Sequence, residues 1–221
     1  ATPNGAVVSG TGNGQPTHLR RQPVGPFGFS ELTAFAQGCQ VNSPPPVGVK
    51  TWLEVFRHII DGCQEAIILV DMRDKGLPII LCNDAFTVLT GYERDAVIGK
   101  NCKFLQGKKT SAAAVRAMVK AISDRAYTNI NVLNFKRDGS ALQNNLSLHP
   151  VARARDGEYE YSVGVLVDGT ELKNSSDERR DALAALRAAV PTMVSEESGQ
   201  QSGIAAGSTS QNNDAPVSEL A

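Results

Sequence analysis

Gly99-Lys100-Asn101-Cys102-Lys103-Phe104-Leu105-Gln106-Gly107 sets one thiol between an amide and a base, with a second amide close behind. A cysteine among hydrogen-bonding side chains and beside an apolar pair suits a redox or photochemical group aimed at a bound cofactor. The bland reading is a structural cysteine in a packed core, a common fate of free thiols.

The chain around this run has 221 residues, room for one domain of ordinary size plus tails. Its formal net charge is −1, with acids and bases interspersed, which speaks against nucleic acid or an anionic membrane as partner. No apolar run approaches the roughly 20 residues that span a bilayer. The N-terminus lacks the basic-then-apolar pattern of a secretory signal. It also lacks an initiator Met, so the chain is expected to be part of a longer protein. Cys39, Cys63, Cys82 and Cys102 form no CxxC pair, and reduced thiols in a cytoplasmic setting are expected. His18, His58 and His149 lie far apart, so no metal site is assigned. With no secretory signal, the sequons at Asn145 and Asn174 are read as chance. Gly10-Thr11-Gly12-Asn13-Gly14 has neither a strand before it nor a helix after it and is not a nucleotide loop.

Residues 1–49 are rich in Gly, Pro, Thr, Asn and Gln and are expected to be mostly disordered, with a short helix possible over Phe27 to Ala36. From Lys50 the texture changes: Trp52, Leu53, Phe56, Ile59 and Ile60 recur at helical spacing, up to Asp61-Gly62. Strands are expected at Ala66–Asp71 and Pro78–Cys82, joined by the turn Arg73–Gly76. Helical segments follow at Asp84–Thr90, Glu93–Val97 and Ser111–Ser123, the last with Ser111 as N-cap. Three further strands, Asn129–Lys136, Ala141–Val151 and Glu158–Val167, are separated by the turns Arg137–Ser140 and Arg155–Gly157. Asn174–Val190 reads as a helix with Leu183, Leu186 and Val190 on one stripe, stopped by Pro191; residues 192–221 read as a disordered tail. The order alone supports an α+β class.

The cysteine run resembles the GxNCRFLQ signature of LOV (light-oxygen-voltage) domains, the blue-light-sensing flavin modules of the PAS superfamily. The resemblance covers roughly residues 50–190, with Asn83-Asp84-Ala85-Phe86, Thr90-Gly91-Tyr92, Leu133-Asn134-Phe135, Arg137-Asp138-Gly139 and Gly164-Val165-Leu166-Val167-Asp168 in step. It implies a PAS fold: a five-stranded antiparallel sheet with helices on one face, plus flanking N- and C-terminal helices. It divides the chain into a domain at 50–170, a linker or output helix at 171–191, and tails.

By the same resemblance, Cys102 forms a reversible covalent adduct at the flavin C4a carbon under blue light. Asn134 and Asn144 would bind the pyrimidine edge of the flavin, and Asn101 and Gln106 the ring edge and ribityl chain. Ile68, Leu105, Leu133, Leu146 and Leu148 would enclose the ring. The cofactor is expected to be FMN, with riboflavin or FAD as competitors, because the phosphate contacts depart from the family. Lys103 stands for the usual Arg, and a second family Arg falls at Val119, leaving Arg116 as a substitute. A further departure is Leu166, where the family has a Gln that answers the protonation of flavin N5. Adduct chemistry is expected to survive this change with an altered signal output. No HRD or DFG kinase motif occurs, so the chain reads as a sensor and not an enzyme. The alternatives are a flavin-based PAS redox sensor and the regulatory fragment of a light-activated kinase whose effector lies elsewhere. A homodimer is possible.

Overall fold

The computed structural model describes residues 30–41, 43, 48 and 51–194. The expected disorder of residues 1–29 and 195–221 lies outside the described residues. Helix α1 (Ser30–Gly38) is followed by α2 (Trp52–Asp61), the strands β1 (Ala66–Asp71) and β2 (Ile79–Cys82), and the helices α3 (Asp84–Thr90) and α4 (Arg94–Val97). A 3₁₀ turn at Cys102–Leu105 leads into α5 (Ala112–Ser123). Then come β3 (Thr128–Phe135), β4 (Ala141–Arg153), β5 (Tyr159–Asp168), α6 (Gly169–Lys173), α7 (Asp177–Ala188) and β6 (Met193–Val194).

Five strands run antiparallel in the order β2-β1-β5-β4-β3. Side chains alternate between the two faces of a strand, and here both faces are covered. Ala66, Ile68, Val70, Val132, Leu146 and Leu166 share one apolar cluster with residues of α3, α4 and the 3₁₀ turn. Ile67, Leu69, Val163, Val165 and Val167 point the other way, into a cluster with α1, α2 and α7. The near-continuous apolar runs of β1 and β5 follow from this double burial.

Helix α2 opens with a capping box: Thr51 Oγ1 accepts the Glu54 N–H while the Glu54 carboxylate accepts the Thr51 N–H. Its buried stripe carries Trp52 and Phe56, which begin an aromatic stack. Phe35 of α1 lies 5.3 Å from Phe56, Phe56 lies 4.8 Å from Trp52, and Trp52 lies 5.9 Å from Tyr161 of β5. Such pairs add about 0.5–1.5 kcal/mol each beyond simple burial. The Arg73 guanidinium covers the outer end, 5.0 Å from the Tyr161 ring.

The short helix considered over Phe27 to Ala36 is α1, which runs on to Gly38, and its Leu32 and Phe35, with Cys39 just beyond it, are buried in the domain core. Two features depart from expectation. The helix expected over Asn174–Val190 starts later, because Ser176 caps α7 by accepting the Arg179 N–H. The short α6 precedes it. The tail expected from residue 192 instead opens with β6, which adds a sixth, parallel strand to the sheet by pairing Met193 with Ala152 and Val194 with Arg153.

The connection between the two layers is Asn83, which is fully buried. Its Oδ1 accepts the N–H groups of Ile67 at 2.9 Å and Phe86 at 3.1 Å. Its Nδ2 donates to the carbonyls of Ile60 at 2.9 Å and Glu65 at 2.7 Å. One amide thus closes the end of α2, the start of β1 and the start of α3. Asn83→Ala leaves these groups buried without partners and should cost about 2–4 kcal/mol, read as a lower urea midpoint at unchanged slope.

Candidate functional site: a thiol and an amide pair in one cavity

Between the sheet and helix α5 lies a cavity of about 910 Å³ of atom-free space, its mouth included. Ile68, Leu146, Leu148, Leu166, Asn134 and Asn144 line its sheet side, and Asn101, Cys102, Lys103, Leu105 and Gln106 line it from the 3₁₀ turn. Ten of the expected site residues, and Leu148 with them, therefore meet at one place.

The turn is held by Asn101. Its Oδ1 accepts the Lys103 N–H at 3.1 Å, and its Nδ2 donates to the Gly76 carbonyl at 2.8 Å. The sequence suggests Asn101 as a ring contact; the fold also uses it as the cap that positions Cys102. Cys102 itself is half-buried. Burial pushes its thiol up to about 12, against a weaker downward pull from its own backbone N–H. At neutral pH it is a thiol and carries its proton.

Across the cavity, Asn144 Nδ2 donates to Asn134 Oδ1 at 2.8 Å. Both residues are at most 4% exposed, and Asn144 Oδ1 is buried with no hydrogen-bond partner. A buried amide oxygen without a donor costs free energy unless a ligand supplies one. Leu166, 2% exposed, stands between Ala66 and Leu146 in the sheet register and brings only methyl groups to the cavity. Gly164 opposite Ile68 keeps the floor clear, since a Cβ there would lie 2.8 Å from Ile68 Cγ1.

Two expected residues do not line the cavity. Leu133 and Asn134 are neighbours on β3, so strand alternation sends them to opposite faces. Asn134 takes the cavity side, and Leu133 contributes its carbonyl, which accepts the Thr110 hydroxyl at 2.6 Å. Arg116 is exposed on α5. The stripe that lines the cavity is Val115, Met118, Val119 and Ile122, and Arg116 stands about 100° of helical rotation away from Val115. Lys103 is thus the cation at this cavity among the described residues. Val70, Val115, Met118, Ile122 and Ser162 also line it. Their signal in the sequence was the two-residue step from Ile68 to Val70 and the helical spacing within α5.

The PAS domain family model matches residues 64–171. These residues are a PAS domain of the LOV type. A blue-light-activated histidine kinase of Brucella canis is 43% identical over 115 residues, 52% of this chain and 23% of that protein. Phototropin-1A of rice is 35% identical over 112 residues, 51% of this chain and 12% of that one. Among solved structures, the LOV domain of the Erythrobacter litoralis EL346 blue-light activated histidine kinase is 35% identical. It covers 48% of this chain and 95% of its own, with a TM-score of 0.45. The chain spans about an eighth to a third of the length of these and similar curated relatives.

With its thiol pushed up to about 12, against an ordinary 9.0, Cys102 should be alkylated by iodoacetamide at pH 8 about a thousandfold more slowly than in the urea-unfolded chain. The rate should climb about tenfold per pH unit as thiolate forms. Comparable rates in the two states at pH 8 would contradict a buried, neutral thiol.

Proposed function

We propose that this LOV domain senses blue light through a flavin held in the cavity and bonded reversibly by Cys102. The observation that carries the reading is the facing of Cys102 by a buried amide pair with one unsatisfied acceptor. The residues fit the group. Asn144 Oδ1 suits a ring N–H, the Asn134 amide suits a ring carbonyl, and Leu105, Leu146, Leu148 and Ile68 offer apolar faces. When bound, the flavin supplies light absorption and an electrophilic carbon.

Cys102 contributes a thiol with its proton in place. With a flavin bound, Cys102 would supply both the sulfur that bonds to its electrophilic carbon and the hydrogen that goes with it, and reversal would return both to the thiol. A thiol held neutral keeps that hydrogen for transfer, whereas a thiolate would need a separate donor. Asn101 fixes the turn from which Cys102 reaches the cavity. No turnover is involved, and any effector, such as a kinase, belongs to a longer protein.

Lys103, exposed at the mouth, serves the phosphate of FMN as a point charge. Solvated pairs of this kind contribute about 0.2–1 kcal/mol. Lys103→Ala should therefore weaken FMN binding only a few-fold and leave riboflavin binding unchanged. Equal losses for both ligands would remove Lys103 from the phosphate. Mass spectrometry of the released chromophore distinguishes FMN, riboflavin and FAD.

Leu166 has no group that can answer a change at N5, so the output passes through other residues. Asn144, on the cavity face of β4 beside the Leu146–Leu166 pair, is a polar candidate. Its neighbour Asn145 points to the opposite face, where the Arg187 guanidinium of α7 donates to the Asn145 carbonyl at 3.2 Å and to its Oδ1 at 2.8 Å. A shift of Asn144 would be felt at Arg187 and hence at the seat of α7. The purified protein should be yellow and bleach reversibly in blue light, with bleaching abolished in Cys102→Ala. Leu166→Gln should enlarge the light-induced change in hydrogen exchange over α7. Identical exchange in the two proteins would remove any role for Leu166 in muting the signal. Retained flavin with no bleaching in the wild type would favour the alternative, a dark flavin-based redox sensor.

A further inference from the structure

A second concavity lies across the sheet from Cys102, between strands β3 and β4 and helix α7. Asn129 of β3, His149 of β4 and Arg187 of α7 line it, with Tyr127 at one end and Thr192 at another. Asn129 and His149 lie on the strand face opposite Asn134, Asn144 and Leu148, so the two concavities share a sheet but no wall.

Arg187 is the chemical centre of this groove. It is half-buried, and its Nη2 donates to the Asn145 carbonyl at 3.2 Å and to Asn145 Oδ1 at 2.8 Å. Its Nε is buried with no acceptor. Its Nη1 has no partner among the described residues and remains accessible. Both acceptors on Asn145 are neutral. Glu65, whose charge acts on Arg187, is itself tied to Arg179 in an ion pair. Burial draws the guanidinium down from its ordinary value, but an Arg keeps its proton in a protein. A charge taken from water without a counter-charge costs free energy, and an arriving anion offsets that cost.

The surroundings narrow the kind of anion. His149 stays neutral, because burial and then Arg187 bring it down to about 4. Arg180, also at the groove, is engaged by Asp177 and by the Ser175 carbonyl. One uncompensated positive charge remains, which suits a monoanion better than a phosphate dianion. The planar guanidinium matches a carboxylate in particular. Leu172, Leu183, Ala184, Ala188 and Val190 form an apolar wall beside it. The Tyr127 ring, 54% exposed, stands 4.9 Å from the His149 ring and leaves its own apolar surface open.

We propose that this groove binds a small organic monocarboxylate, its carboxylate on Arg187 and its hydrocarbon or aromatic body along the apolar wall. The carboxylate accepts from Arg187 Nη1 and supplies the missing counter-charge. The body lies between α7 and the sheet, against Leu183, Ala184 and Tyr127. Such a ligand touches β3, β4 and α7 at once and holds α7 in its seat. Binding needs neither light nor flavin, because no residue of the groove lines the Cys102 cavity.

The test titrates the full chain in the dark with 4-phenylbutyrate and with its uncharged amide, by calorimetry, while hydrogen exchange locates the ligand. The carboxylate should bind saturably at one site, and the amide at least about tenfold more weakly. Exchange should slow over α7 and β3 and stay unchanged over α5. Arg187→Gln should remove the preference for carboxylate over amide. Ala184→Trp, which fills the groove and keeps Arg187, should abolish binding of both. Equal affinity for the two probes, binding of neither, or tighter binding of inorganic phosphate overturns the proposal. Slowed exchange over α5 also overturns it, by placing the ligand in the Cys102 cavity. So does binding that appears only when residues 195–221, with Glu196 and Glu197, are removed; the guanidinium would then belong to the chain's own acids. The comparison of the two probes on the parent chain decides the matter even where a variant fails to fold, and loss of flavin binding would leave it unchanged.

Discussion

The buried amide of Asn83 is the constraint on which the two layers of this domain depend. Strand β1 packs against α2 on one face and α3 on the other, so the chain must leave one helix, enter the sheet and enter the next helix within a small volume. Each of these ends carries backbone groups that have no partner within their own element. Asn83 satisfies groups at all three ends from a fully buried position. An apolar residue of the same size would fill the space but leave the polar groups buried and unpaired. Only a side chain that both donates and accepts fits this junction.

With the junction fixed, strand alternation assigns the work of each face. The side of β4 that carries Asn144, Leu146 and Leu148 belongs to the cavity. The side that carries Asn145 and His149 belongs to α7 and the flanking helices. His149 is kept neutral there: burial, and then the positive charge of Arg187, bring it down to about 4. Its Nε2 lies 3.0 Å from Ser147 Oγ, and its ring centroid lies 4.9 Å from that of Tyr127. Adjacent residues on one strand therefore meet different chemistry, and the sheet itself links the cavity to α7. Any movement of Asn144 is shared by Asn145 through the peptide bond that joins them.

Much of this was legible in the sequence. The helix–strand–helix order and the Ser111 cap follow from periodicity and capping, and the positions on β4 and β5 from the resemblance to LOV domains. What escaped depended on tertiary context. The motif places Leu133 beside Asn134, but adjacent strand positions cannot face one cavity. Charge and a one-turn offset from Val119 point to Arg116, but the apolar stripe of α5 decides which side turns inward. The α1 segment carries few apolar residues in a polar setting. Leu32 and Phe35 become a core only because Phe56 and α7 are there to meet them. Strand β6 is two residues long, too short for any periodicity to reveal.

The roles of Asn101 and Leu166 separate two properties that a light-sensing site must hold together. Placement of Cys102 rests on the hydrogen bonds of Asn101 to Lys103 and Gly76 and on the 3₁₀ turn, none of which is a hydrogen bond to β5. Leu166 lies on β5, packed between Ala66 and Leu146. A substitution at 166 therefore need not disturb the thiol, because no hydrogen bond connects the two among the described residues. It does change what the sheet can feel: a hydrogen arriving in the cavity finds methyl groups at Leu166 and an unsatisfied acceptor at Asn144. On the proposed reading, a polar response would lie at Asn144 on β4, not at Leu166 on β5. From β4 the next polar contact outward is Asn145 with Arg187, which makes α7 the element best placed to respond.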